Sequence, residues 1–493
     1  HKKEHARKSV EDLADMLLDI YSEREQARGY RFSPDTEWQS DFEARFPYEE
    51  TEDQLRSVAE IKADMESDKP MDRLLCGDTG YGKTEVAMRA AFKAAVDGKQ
   101  TALIAPTTIL AGQHYENFVK RFEGFPVRIE LLSRFVKGTK QKEVLKAVAA
   151  GEVDILIGTH RLLQKDVVFK DLGLLIVDEE HRFGVKDKER LKTLKANVDA
   201  LAMSATPIPR TLHMSLLKIR DISLITTSPY NRKPIETVVC AFDERLIRDA
   251  VMKEVERGGQ VFYLHNRIES LESVRLFLEK ILPEVMIETA HGRMSAEELD
   301  EKMHRFINNN FQVLLSTTII ESGIDIPNVN TIIIDRADMY GISQLYQLKG
   351  RVGRSDRSSY AWLFYPKEQP LSEAAVKRLQ VISDFGELGS GFRIAMKDME
   401  IRGAGNLLGR EQHGEIASVG YEMYLKLLDD VIGEKQNRPK QEEVCLDLEY
   451  SGYIPNEYIA DKSEKMAVYK RIASIRSEED YDLAQAEIDD RYG

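Results

Sequence analysis

At 493 residues the chain is too long for one hydrophobic core and predicts two to four domains. Apolar residues make up 42% and charged residues 31%, the balance of a folded globular protein, and no apolar run nears the ~20 residues that span a bilayer, which excludes an integral helical membrane protein. The net charge of −14 excludes a broadly basic, nucleic-acid-coating protein, but a groove lined with local donors can still hold a phosphate backbone.

No secretory pattern opens the chain, so a cytoplasmic location is expected. The three cysteines, Cys76, Cys240 and Cys445, are too dispersed for a disulfide framework or a zinc site. Residues 2–28 place Val10, Leu13, Leu17 and Tyr21 at helical spacing and predict an amphipathic helix ending near Gly29. From Met71 to Ile225, short apolar runs alternate with amphipathic stretches. Strands are predicted at Arg73–Cys76, Thr101–Ala105, Val127–Leu132, Ile155–Gly158, Leu174–Asp178 and Leu201–Ser204, with helices between them such as Lys83–Val96 and Lys140–Ala149. That alternation specifies a parallel sheet covered on both faces. Thr227–Pro234, with Pro229, Asn231 and Pro234, reads as an interdomain linker. A second α/β pattern follows, with strands at Val261–Leu264, Met286–Thr289, Val313–Ser316, Thr331–Ile334 and Ala361–Phe364, and a capping box at Ser295 and Glu298. Beyond Pro370 the pattern is helical, broken by glycine clusters, and helices are expected again at Met466–Ile475 and Tyr481–Ile488.

Gly77-Asp78-Thr79-Gly80-Tyr81-Gly82-Lys83-Thr84 has the form G-x-x-x-x-G-K-[ST] between a predicted strand and helix. Its glycines let backbone N–H groups wrap phosphates, the helix N-terminus adds positive potential, Lys83 reaches the β/γ-phosphates and Thr84 ligates Mg²⁺. Leu174 to Val177 is an apolar strand ending in Asp178-Glu179-Glu180-His181, at the strand end where α/β sheets place ligand chemistry. Asp178 is the second Mg²⁺ ligand and Glu179 the group that orients or deprotonates the attacking water. Arg351 and Arg354 stand one helical turn apart, so both can face one phosphate, and supplied from the second domain they stabilise the transferring phosphoryl group only on closure. ATP and Mg²⁺ are the cofactors this pattern requires.

Asp-Glu-Glu-His resembles the DExH box of superfamily 2 helicases and translocases, and the remaining boxes follow in that superfamily's order. The resemblance implies two tandem RecA-like parallel-sheet domains of α/β class with helical N-terminal and C-terminal extensions. It also implies phosphate-backbone contacts at Pro106, Thr107 and Thr108, at Gly158, Thr159 and His160, and at Thr317 and Thr318. Ser204 and Thr206 fall in the coupling box, and His181 is expected to link the nucleotide site to the other lobe. Tyr263–Asn266 takes the motif IV position. Upstream, Phe46, Tyr48 and Gln54 resemble a Q-type motif in which Gln54 contacts adenine and one aromatic ring stacks on it. A plain helix start with Thr51 as N-cap is compatible with that role.

Among these translocases, Arg393 to Gly409 followed by Glu411-Gln412-His413-Gly414 resembles the translocation element of RecG-type proteins and of bacterial transcription-repair coupling factors, with Arg393, Arg402 and Gln412 as coupling residues. Met71 to Phe92, Asp178 to Val185 and Ile208 to Leu212 are closer to the coupling factors. The implied domains are a relay-type helix and linker at 1–45, lobes at 46–228 and 229–385, a helical hairpin at 386–440, and the start of a C-terminal regulatory domain at 441–493. The implied function is ATP-dependent translocation on double-stranded DNA that couples transcription to excision repair at stalled RNA polymerase, by a monomer that touches no membrane. The alternatives are fork remodelling of the RecG kind and a DExH RNA helicase, which lacks the hairpin. The family's front and polymerase-binding modules are expected to lie outside this chain, which relaxes autoinhibition.

Overall fold

A computed structural model of the chain describes residues 27–133, 138–184, 187, 190–191, 194–195, 197–205, 220–229, 233–317, 326–353, 357–368, 370–384, 394 and ten positions between 454 and 485. The helix expected over 2–28, the hairpin at 386–440 with Arg393, Arg402 and Gln412, and the residues Thr206, Thr318 and Arg354 lie wholly or almost wholly outside them. The chain divides into two compact units, 1–436 and 437–493.

Within the larger unit, α1 (Glu37–Ala44) and α2 (Glu52–Met65) precede the first sheet. Its strands are β1 (Asp72–Gly77), β2 (Gln100–Ile104), β3 (Ile129–Leu132), β4 (Ile155–Gly158), β5 (Leu172–Asp178), β6 (Asp199–Ser204) and β7 (Asp221–Ile225). They pair in the order β3-β4-β2-β5-β6-β1-β7, and every pairing is parallel. Between them run α3 (Lys83–Val96), α4 (Thr108–Arg121) and α5 (Gly138–Ala150). Central strands read as unbroken apolar runs because both faces are covered. One face packs Leu75, Leu103, Ile157 and Ile176 against α2, α3 and α4 residues such as Ile61, Phe92 and Phe118. The other packs Ala102, Leu156, Leu175 and Val177 with Val144 and Val148.

The second sheet holds β8 (Ile235–Ala241), β9 (Gln260–Leu264), β10 (Ile287–Ala290), β11 (Val313–Ser316), β12 (Val329–Ile334) and β13 (Ser359–Tyr365), ordered β10-β11-β9-β12-β13-β8 and again parallel. Its helices are α6 (Glu244–Glu256), α7 (Leu271–Ile281), α8 (Ala296–Ile307), α9 (Ile342–Lys349) and α10 (Glu373–Asp384). Two parallel sheets with helices, each carrying one half of the motif set, make the RecA-like α/β fold that the sequence implied. Ser295 accepts from the Glu298 N–H at the start of α8, the N-cap half of the expected box, without the return bond from the Glu298 side chain.

Two strands were not anticipated. β7 and β8 are edge strands on either side of the 226–234 linker, and their partial exposure blurs the apolar signal that betrays a buried strand. In the smaller unit, Lys465, Val468, Tyr469 and Ile472 have helical backbone, as do Tyr481, Ala484 and Gln485, and the Ile454 N–H donates to Tyr469 Oη at 2.6 Å.

Candidate nucleotide site between the lobes

Parallel strands end on one edge, so β1, β2, β4, β5 and β6 deliver their following loops to a single crevice. Strand register sets the details. Cys76 lies beside Ser204, Asp178 beside Met203, and Ile104 beside Val177.

The phosphate loop leaves β1 and closes into α3 through Gly80 and Gly82, both at φ +83°. At Gly82 a side chain is excluded twice over, by the left-handed backbone and because an added Cβ would lie 2.4 Å from Gln54 Nε2. Lys83 is half-buried and its ammonium donates to the carbonyls of Gly77 and Asp78, which centres it in the loop. Burial pulls its pKa down, against the opposing pull of Glu179 and Asp178. Gln54 is engaged within the lobe. Its Oε1 accepts from the Thr51 N–H to complete a capping box, and its Nε2 donates to the Tyr81 carbonyl at 2.8 Å. Adenine contact through that amide therefore requires exchange of a bond made to the phosphate loop. Phe46 is half-buried and meets Tyr48 edge-on at 5.5 Å, with Arg89 5.4 Å from the Phe46 ring centre; Tyr48 is exposed and available for stacking.

Asp178 and Glu179 are both buried, and their environments differ. Burial pushes the Asp178 carboxyl up, but the hydrogen bond from His114, with the charges of His114, Lys83 and Arg351, brings it below the ordinary carboxylate range. Glu179 stands at φ +50°, one of two non-glycine residues with positive φ among those described. Its Oε2 accepts from Ser204 Oγ at 3.0 Å and its Oε1 from the Ala205 N–H at 3.1 Å. Glu180 turns away to Lys195 and Arg220, with N–O distances of 2.6 and 2.9 Å, and despite burial these cations lower its pKa to about 2. His181 lies in the short 3₁₀ turn Glu180–Arg182.

The second lobe meets this crevice through α9 and the residues after it. Tyr346 Oη donates to Asp78 Oδ2 in the phosphate loop. A Cβ on Gly350 would lie 3.6 Å from Thr79 Oγ1, and the Arg351 charge acts on Asp178. Lys349 is buried beside Asp78; burial lowers its pKa to about 8, with Asp78 pulling the other way. Tyr346 and His114 were not singled out in the sequence. Each lies on a helix whose spacing signals only packing.

The expected backbone-contact residues divide. Pro106, Thr107, Thr108 and His160 are half-buried at the strand-end edge. Gly158, Thr159 and Thr317 are buried, so neither threonine side chain is exposed at that edge; Gly158 is a strand residue whose absent Cβ makes room for the Leu132 carbonyl, 2.4 Å from the Cβ position. Among the described residues no cluster of three or more His, Cys, Asp or Glu forms a self-sufficient metal cage. Thr84 and Asp178 are hard oxygen donors of the kind that would suit Mg²⁺ shared with nucleotide phosphates. No described helix is long and apolar enough to cross a membrane.

Residues 51–215 match the DEAD/DEAH box helicase family, 244–356 the helicase conserved C-terminal domain, and 448–493 the TRCF domain. A transcription-repair-coupling factor from Bacillus subtilis (strain 168) is 55% identical over 98% of the chain, and one from Staphylococcus haemolyticus is 52% identical over 99%. The chain spans 42% of the length of these relatives. A structure of RecG bound to a three-way DNA junction superposes with a TM-score of 0.73 at 35% identity, covering 87% of this chain and 57% of that one. The DEAD-box helicase Mss116 bound to ssRNA, at 17% identity, 80% coverage of this chain, 89% of that one and a TM-score of 0.55, shares the fold. With both helicase domains in order and more than half of its residues identical to the Bacillus subtilis relative over nearly its whole length, the chain is a relative of the transcription-repair-coupling factors, built on the two-lobed helicase core.

Proposed function

We propose that this chain is an ATP-hydrolysing motor that moves along double-stranded DNA, the translocating part of a machine that acts on stalled RNA polymerase in excision repair. One observation carries the proposal: the second lobe meets the phosphate loop of the first, Tyr346 bonding Asp78 and Gly350 lying against Thr79, which brings the neighbouring Arg351 to the Asp178 side of the crevice. A cation that joins the site only when the lobes meet ties phosphoryl transfer to lobe separation. In this reading the lobes are residues 46–228 and 229–385, followed by the hairpin at 386–440 and a regulatory segment from 441. Lys83, centred by the Gly77 and Asp78 carbonyls, moves onto the phosphates when nucleotide enters. Glu179, held by Ser204 and Ala205, orients the attacking water. Thr84 and Asp178 would hold Mg²⁺, which would supply neutralisation of phosphate charge. Half-buried Pro106, Thr107, Thr108 and His160 grip the phosphate backbone, so sequence preference is weak and binding falls with salt. The working species is a cytoplasmic monomer.

The test is ATPase stimulation by duplex DNA, single-stranded DNA and RNA, run with a triplex-displacement assay. Duplex stimulation with strand displacement is expected; Lys83→Ala and Glu179→Gln abolish turnover, and the Gln variant still binds ATP. Stimulation by RNA alone overturns the proposal. The likeness to junction-bound RecG favours fork remodelling as a second reading, which faster processing of branched than of linear duplex would support.

A further inference from the structure

His114 donates from Nε2 to Asp178 Oδ2 at 2.8 Å, and both side chains are buried. The histidine sits on α4, on the buried face with Leu110, Ala111 and Phe118, so the helix sets where its ring meets Asp178. The same helix begins where the backbone-contact segment ends. Thr107 is its N-cap, accepting from the Leu110 N–H at 3.3 Å, and lies seven residues, roughly 10 Å of helix, from His114. Between them, Ile109 packs against the core of the second lobe. One rigid element therefore touches the proposed DNA track, the opposite lobe and the carboxylate proposed to hold Mg²⁺.

We infer that His114 is a positioning residue that fixes which oxygen of Asp178 faces the metal and, through α4, ties that setting to contact at Pro106–Thr108. A hydrogen bond that occupies one oxygen of a carboxylate leaves the other as the one presented to a metal. Partners of metal-ligating groups commonly alter metal affinity 10- to 100-fold. His114 does not touch nucleotide; it acts through Asp178. The inference rests on the ATP–Mg²⁺ and DNA-track reading above.

The experiment measures binding of a fluorescent N-methylanthraniloyl ATP to the full chain, its His114→Ala and its His114→Gln variants. Each is titrated with Mg²⁺, with and without duplex DNA, and its melting temperature is recorded. In the parent, Mg²⁺ tightens nucleotide binding and duplex shifts the Mg²⁺ midpoint. His114→Ala is expected to raise that midpoint at least ~10-fold, to leave Mg²⁺-free binding unchanged and to erase the duplex-dependent shift. His114→Gln, whose Nε2 can reach the same oxygen, is expected to recover most of both effects. An unchanged Mg²⁺ midpoint in His114→Ala overturns the inference. So does an equal loss of Mg²⁺-free and Mg²⁺-bound affinity that Gln fails to restore, since that marks a packing defect. A parent without Mg²⁺-dependent nucleotide binding instead sinks the nucleotide-site reading and the inference with it.

Discussion

Glu179 occupies left-handed backbone that costs a side-chain-bearing residue roughly 1–2 kcal/mol, and Ser204 and Ala205 hold both of its carboxylate oxygens there. Asp199, at the opposite end of the same sheet, is a buried carboxyl of another kind. Its Oδ1 accepts from the Met71 N–H at 2.8 Å, while its Oδ2 is buried with no hydrogen-bond partner among the described residues. Burial pushes its pKa up to about 7, against the Met71 bond and aided by Asp64. The folded protein thus holds this proton more tightly than the unfolded chain, where aspartate titrates near 3.9. The group's contribution is complete below about pH 4 and is lost as pH rises through 7, a difference on the order of 2–4 kcal/mol. Asp199→Asn keeps the acceptor for Met71 and removes the titration. Calorimetry should find the variant more stable than the parent at pH 8.5, with the advantage gone by pH 4. An equal offset at both pH values would contradict the assignment.

At the scale of elements, the first turn of α2 joins the phosphate loop to the interlobe linker. Gln54 holds the Tyr81 carbonyl, and the neighbouring Asp53 pins the linker's start: its Oδ2 accepts from the N–H and Oγ1 of both Thr226 and Thr227 at 2.8–2.9 Å. Burial pushes the Asp53 carboxyl up, but these four donors more than offset it and hold it well below the usual carboxylate range. Asp53→Ala leaves four donors without their acceptor and should cost about 2 kcal/mol or more. Hydrogen exchange read by mass spectrometry should show the Thr226 and Thr227 amides opening faster in Asp53→Ala, with Asp53→Asn intermediate. Unchanged protection in Asp53→Ala would show that the linker is held elsewhere. This clamp was not legible in the sequence, where Asp53 is one acid among four in Glu49–Asp53 and Thr226–Thr227 open a loop. The legible parts were those fixed by local rules. Central strands such as Leu174–Asp178 are apolar on both faces, α3 begins at Lys83 because Gly82 ends the loop, and the site residues sit at strand ends. Illegible parts depend on which elements become neighbours in space. His114 and Asp178 are 64 residues apart, Tyr346 and Asp78 268.

At the scale of the molecule, what matters is how the second lobe divides its labour at the phosphate loop. Tyr346 and Arg351 are one and a half helical turns apart in sequence but meet different partners: Tyr346 bonds Asp78, a loop residue, and Arg351 acts on Asp178, the proposed metal ligand. A neutral hydroxyl bond to the loop stabilises the closed arrangement whatever the progress of the reaction. A guanidinium gains most as charge develops on the transferring phosphoryl group. The two removals should therefore leave different kinetic signatures. Tyr346→Phe loses one interlobe hydrogen bond to a charged group, about 1–2 kcal/mol, and should raise KM for ATP roughly 5- to 30-fold with kcat little changed. Arg351→Ala should lower kcat on the order of 10³-fold while ATP affinity stays within a few-fold. Steady-state ATPase measurements on duplex DNA, with affinities taken from equilibrium binding, distinguish the cases. If Tyr346→Phe reduced kcat as severely as Arg351→Ala, lobe closure and chemistry would be one event governed by the whole segment from α9 to Arg351, and the separate roles assigned to the two residues would be wrong.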